Sequence, residues 1–145
     1  MKLVIEKCTE LGATDFFLIK SEYTNYMSDI ERLRRVAIFA SEQSERLDIP
    51  QVHNEQELSS FVMNLPIDYK WYSAIERSEK ATPILEIAKA SRGIGFVIGP
   101  EGGFSDAEKE LLQQTTIPIR LSTNILRTET AAILCTAIGA MKHSI

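Results

Sequence analysis

The side chains best suited to chemistry fall in two short segments. Residues 98–108, I-G-P-E-G-G-F-S-D-A-E, hold Glu101 among Gly99, Gly102 and Gly103, directly after an apolar run that ends at Ile98. Residues 121–131, L-S-T-N-I-L-R-T-E-T-A, carry Arg127 and Glu129 in alternation with Thr128 and Thr130. Glycines in the first segment allow positive φ and let a ligand approach the main chain where a Cβ would block it. A glycine loop entering a helix presents free N–H groups and the positive end of the helix dipole, so phosphate is the first ligand to consider. Glu101 would repel phosphate, and no Lys-Ser or Lys-Thr pair follows the glycines as a P-loop requires. A ligand with positive or neutral polar groups suits the loop better. Taken singly, the first segment also reads as a tight turn with a good cap. The second reads as a helix start capped by Thr128, with a solvated pair between Arg127 and Glu129.

Each segment leaves an apolar strand and enters a helix, so the surrounding elements decide whether the two meet. Leu3, Val4, Lys7, Cys8 and Leu11 share one helical face over residues 2–11, with Gly12 just past the end. Residues 15–19, D-F-F-L-I, read as one buried strand, and residues 28–48 keep helical spacing until shortly before Pro50. A short strand at 51–52 and a helix over 54–64, capped by Asn54 with Glu57 three residues on, follow. Residues 69–75 have the aromatic content of a strand, and 83–90 read as a helix opened by Pro83. Strands at 94–98 and 117–121 precede the two segments, Ser105 to Glu108 is a capping box, and an alanine-rich helix covers 129–141. The alternation implies one α/β domain over residues 1–145, with a mostly parallel sheet covered by helices on both faces. Ligands in such folds sit at the carboxyl ends of strands, where both segments begin.

Charge and composition exclude several classes. A net charge of −4 argues against strong non-specific binding to nucleic acid by this chain alone, and Arg32, Arg34 and Arg35 form its densest basic cluster, read as a solvated helix face. Cys8, Cys135, His53 and His143 are scattered without metal-ligand spacing, so no metal is expected and the cysteines read as buried fillers. No apolar run approaches a membrane span and no charged-then-apolar leader opens the sequence, which leads to the expectation of a cytoplasmic protein without a membrane partner.

Together the two segments resemble those of the SPOUT superfamily of knotted methyltransferases. More narrowly, G-P-E-G-G-F-S and I-L-R-T-E-T-A-A at this spacing resemble the ribosomal RNA small subunit methyltransferase E family, the 16S rRNA uracil-N3 methyltransferases. E-K-C-T-E-L-G-A from Glu6 and E-Q-S-E-R from Glu42 are similar to further family segments, so the resemblance runs along essentially the whole chain. It extends only to the family's catalytic domain, which leads to the expectation that the PUA-like RNA-binding domain that normally precedes it is absent. Three departures stand out. Glu45 occupies a position where the family has glycine, Ser122 and Asn124 replace a Gly and an Arg, and Tyr23-Thr24 replaces an Arg-Ser pair.

The resemblance implies a C-terminal deep trefoil knot, an S-adenosylmethionine pocket between the two loops, a homodimer through the final helix, and small-subunit ribosomal RNA as partner. It assigns cofactor contacts to Ile98, Gly99, Gly102, Gly103, Leu121, Ser122, Asn124, Ile125, Leu126 and Thr128. For such a reaction the N3 proton must leave, so Arg127 is expected to stabilise the anionic uracil oxygens, with Glu101 or Glu129 as a base or a sulfonium-facing carboxylate. Two other readings stay open: a non-catalytic RNA-binding or dimerisation module that keeps the fold, and a nucleotide-phosphate-binding protein.

Overall fold

The computed structural model describes residues 1–75, 77–90 and 92–143. The elements run α1 (Lys2–Glu10), β1 (Asp15–Phe16), β2 (Ile19–Lys20), α2 (Ile30–Gln43), β3 (Gln51–Val52), β4 (Gln56–Glu57), α3 (Leu58–Met63), β5 (Lys70–Ala74), β6 (Thr82–Pro83), a 3₁₀ turn (Ile84–Glu86), β7 (Ile94–Ile98), α4 (Asp106–Thr115), β8 (Ile117–Arg120) and α5 (Thr128–His143). Among the described residues every strand pairing is parallel, and the main sheet has the order β6-β8-β5-β7. This is the expected α/β architecture. Its helices lie on both faces because β5 alternates. Trp71 and Ile75 join Leu58, Phe61, Leu112 and Val97 under α3 and α4, while Tyr72 joins Ile119, Cys135 and Ile138 under α5. A third cluster, Ile5, Leu18, Leu33, Ala37 and Val52, packs α1 and α2 on the β1–β3 ladder.

Four local expectations need correction. Residues 15–19 do not form one strand: β1 pairs with β3 and β2 with β4, because the partner strand breaks between Val52 and Gln56 and the ladder resumes beyond the break. The ring of Phe17, at the switch, stacks on His53 at 4.3 Å. The helix placed over 54–64 begins only at Leu58, since Gln56 and Glu57 are held in the β2 ladder and the Asn54 side chain accepts from Arg34 instead of capping. Pro83 does not open a helix over 83–90. It pairs with Arg120 in β6, and only the 3₁₀ turn follows, with Ile84 and Ile87 buried under α5.

The fourth correction concerns α2, which stops at Gln43 rather than near Asp48. Glu45 adopts φ 56, its N–H donates to the Glu42 carbonyl at 3.2 Å, and the Arg46 N–H donates to Ser41 at 2.9 Å. That pair of bonds is a Schellman ending, which places its left-handed residue where glycine is favoured. The structure thus gives a physical reason to expect glycine at this position. Arg46, just beyond, folds back to donate to the carbonyls of Thr9 and Ala13 at 2.7 and 2.8 Å, tying the end of α2 to the end of α1.

Both cysteines are buried, as expected. Cys8 on α1 faces Thr136 on α5, and burial pushes both thiols up, Cys135 to about 12 with Cys8 adding to the effect. A thiol raised in the folded state keeps a proton that the unfolded chain loses. Its contribution to stability is therefore full below the ordinary thiol value of about 8.5 and is lost as pH rises from there toward 12.

Two outcomes follow. Glu45→Gly removes the Cβ penalty of a left-handed residue, about 1–2 kcal/mol, against a smaller entropic loss, so urea unfolding should show a net gain of about 0.5–1 kcal/mol. A loss of stability would contradict the Schellman assignment. Iodoacetamide at mildly alkaline pH should label neither cysteine in the native protein and both in urea, and rapid native labelling would contradict the packing of α1 on α5.

Candidate functional site

The site begins with strand register. Ala74 at the end of β5 lies opposite Ile98 of β7 on one side and Ile119 of β8 on the other. The chain therefore leaves β7 and β8 at the same level, roughly 9–10 Å apart across the intervening strand. Residues 99–105 and 121–127 are the two connections that emerge there. One direct bond joins them: Thr128 Oγ1 donates to the Gly99 carbonyl at 3.1 Å. Thr128 is consequently the first residue of α5, tied to the other loop, rather than the residue that precedes the helix as its cap. Leu121 and Ile98 pack beside the same apolar cluster beneath.

The first loop is fixed at its far end by the capping box of α4. Ser105 Oγ accepts from the Glu108 N–H at 3.3 Å, and Glu108 Oε2 accepts from the Ser105 N–H at 2.9 Å. The other carboxylate oxygen of Glu108 accepts from the Glu22 N–H at 2.8 Å. One glutamate thus holds the 21–24 turn against the glycine loop. Tyr23 closes the contact: a Cβ built on Gly102 would stand 2.9 Å from the Tyr23 Cβ, so this glycine is required for close approach. Gly103 has φ 72, the conformation that turns the chain toward Phe104 and α4.

The charged residues are distributed unevenly. Glu101 and Arg127 are exposed, whereas Glu129 is half-buried and its Oε2 is buried with no hydrogen-bond partner among the described residues. The solvated pair between Arg127 and Glu129 does not form, which leaves the Arg127 guanidinium without an ionic partner among the described residues. Glu101 and Glu129 converge on one neighbour. Partial burial raises the Tyr26 phenol, and the fields of Glu101, Glu55 and Glu129 raise it further. Of the basic cluster, Arg34 is structural, paired with Glu31 at 2.7 Å and donating to the Val52 carbonyl, while Arg32 and Arg35 lie exposed.

A cavity of about 370 Å³ opens beside Gly99, Pro100 and Thr128 and runs between residues 13–19 and β7, with α1 and α5 along it. Ile98, Gly99 and Thr128 line it. Gly102 and Gly103 do not, and neither do Leu121, Ser122, Asn124, Ile125 and Leu126, whose loop follows β8, two strands away from the β7 edge that the cavity follows. In that second loop Ser122 Oγ accepts from the Asn124 N–H at 3.1 Å, and the main-chain groups of Ile125 and Leu126 make no hydrogen bond among the described residues. Free main-chain donors and acceptors on an ordered loop are what hydrogen-bonding recognition of a planar heterocycle needs.

Comparison with known proteins decides the family. Residues 1–140 match the model of the RNA methyltransferase domain. The chain belongs to this family. A relative from Rickettsia conorii, named ribosomal RNA small subunit methyltransferase E, is 33% identical over 98% of this chain and 59% of its own length. The protein of that name from Bacillus subtilis is 30% identical over 99% of this chain and 60% of its own length. The chain thus spans about three fifths of the length of the curated relatives it matches. Among solved structures, a methyltransferase from Legionella pneumophila with bound SAM superimposes at TM-score 0.89 and 26% identity, covering 99% of this chain and 61% of that one. A ribosomal RNA small subunit methyltransferase E from Neisseria gonorrhoeae, bound to S-adenosyl methionine, gives 0.85 at 30% identity, covering 98% and 60%.

The clamp made by Glu108 was only half legible. The capping box shows in the spacing of Ser105 and Glu108, whereas the Glu22 contact spans 86 residues and has no local signature. Glu108→Ala removes both, and chemical denaturation should register a loss of about 1–2 kcal/mol, with Lys109→Ala near neutral as control. A Glu108 variant as stable as the parent would contradict the clamp.

Proposed function

We propose that this domain is the catalytic unit of an S-adenosylmethionine-dependent methyltransferase that modifies N3 of a uridine in small-subunit ribosomal RNA. The observation that carries the reading is the Thr128 to Gly99 bond between two loops that leave, at one level, the parallel strands on either side of β5. The names of the relatives and the cofactor in the superimposed structures supply the ligand and substrate class.

The residues present fit the cofactor on three counts. Ile125 and Leu126 offer unpaired main-chain groups for an adenine edge, and the Gly99 to Gly103 loop lets the main chain close on a ligand. Glu129 places a buried, unpartnered carboxylate oxygen where a ligand hydroxyl, an ammonium or a positive sulfur would satisfy it. Phosphate is a poorer match, since Glu101 and Glu129 flank the site. When bound, the cofactor supplies an electrophilic methyl group on sulfonium sulfur. Uracil N3 carries a proton at neutral pH, so the protein must remove that proton and stabilise the charge left on the flanking carbonyl oxygens. Arg127, exposed and unpaired, is assigned to those oxygens. Glu101, open at the loop tip, is assigned to the proton, and Glu129 to the positive end of the cofactor.

The same reading includes a knotted backbone, in which the chain after β8 passes behind the 99–105 loop, and it is supported by the reach of Thr128 to Gly99. It also includes a homodimer in the bacterial cytoplasm, joined across the surface where Leu3 of α1 and Met141 of α5 are exposed. Among the described residues no helix is long and apolar enough to cross a membrane.

Calorimetry should detect S-adenosylmethionine binding by this chain, and absence of binding at millimolar cofactor would overturn the proposal. Arg127→Ala should lower methyl transfer by about 10²-fold or more while cofactor affinity stays within about twofold. Unchanged turnover would remove Arg127 from the catalytic set.

A further inference from the structure

The segment between β2 and α2 is not part of either loop, yet it is fastened to the first. Glu108 holds its Glu22 N–H, Tyr23 packs on Gly102, and Ser21 and Thr24 close a turn through the Thr24 hydroxyl and the Thr24 N–H to Ser21 carbonyl bond of 3.1 Å. The following residues are thereby delivered to the mouth of the cavity, which Ser21, Thr24 and Tyr26 line together with Gly99, Pro100 and Thr128. Tyr26 is 40% exposed, and its hydroxyl has no hydrogen-bond partner among the described residues. An aromatic ring left open to solvent beside the carboxylates assigned to the reaction needs a physical account, because it adds nothing to any of the three apolar clusters.

We propose that Tyr26 is a substrate-positioning residue, the ring against which the target base lies while its N3 faces the reacting groups. The inference rests on the function proposed above. N3 is on the Watson–Crick edge of uracil, so the base must be unpaired to react, and an unpaired base is held most cheaply on an aromatic face. Such stacking is sequence-tolerant and is worth about 1–3 kcal/mol per base. The phenol also has the right protonation state. Partial burial first, and then the negative fields of Glu101, Glu55 and Glu129, raise the phenol and keep it neutral, so it donates a hydrogen bond and does not compete for the N3 proton. The loop places this ring on the side of Gly99 and Pro100, whereas Ile125 and Leu126 stand beyond β5, so the ring is separate from the main-chain groups assigned to the adenine.

The test uses this chain with Tyr26→Ala, Tyr26→Phe and, as control, Met27→Ala, a neighbour that is 95% exposed and outside the cavity. Small ribosomal subunits lacking the modification serve as acceptor, and calorimetry measures S-adenosylmethionine separately. The expected result for Tyr26→Ala is a KM for the acceptor raised by about 5- to 150-fold, the range that the stacking energy gives, with cofactor affinity unchanged. Tyr26→Phe should restore KM to within about threefold, and Met27→Ala should match the parent. Three results would overturn the proposal: an unchanged KM in Tyr26→Ala, a parallel fall in cofactor affinity, or a Phe variant as defective as Ala. Failure of the parent chain to bind the cofactor would instead overturn the function reading, and this inference with it.

Discussion

The structure depends on β5 being paired in parallel on both sides at one register. Ala74 faces Ile98 and Ile119, and that coincidence alone brings two loops that are distant in sequence to the same edge at the same height. A slip of one residue in either pairing would turn Trp71 and Tyr72 to the wrong faces and separate the loops. The aromatic pair is therefore a register lock as well as core. Trp71 packs edge-on to Phe61 at 5.3 Å on one side, and Tyr72 stacks on Phe96 at 5.9 Å on the other.

Around that register three sets of polar contacts tie loops and helix ends together. Thr128 binds the second loop to the first, Glu108 binds the first loop to the 21–24 turn, and Arg46 binds the ends of α1 and α2. What remains unpaired is as informative as what is paired. The Arg127 guanidinium, Glu129 Oε2 and the main chain of Ile125 and Leu126 lack partners among the described residues. Of these only Glu129 Oε2 is buried, and a buried polar atom without a partner is costly, which suits a ligand that completes it.

The sequence carried the parts of the fold whose signal is local. The strands at β5, β7 and β8 show as apolar runs, the capping box shows in Ser105 and Glu108, and α5 shows in its alanines. What it concealed was set by partners far along the chain. Asn54 looks like a helix cap until Arg34 takes its side chain, Pro83 looks like a helix start until Arg120 pairs with it, and residues 15–19 look like one strand until the break between β3 and β4 divides the ladder. The site was legible as two motifs. Its third wall, the 21–26 segment, was not, since nothing near Tyr26 in sequence announces Glu101 or Glu129.

The proposed function requires the 98–104 and 121–128 segments to form one binding site. The most direct measurement is a titration of the isotopically labelled chain with S-adenosylmethionine, followed by amide NMR. The account predicts that amides of Gly99, Gly102 and Gly103 shift together with those of Ile125, Leu126 and Thr128, with one common midpoint. Shifts confined to one segment, or two segments responding with different midpoints, would contradict it.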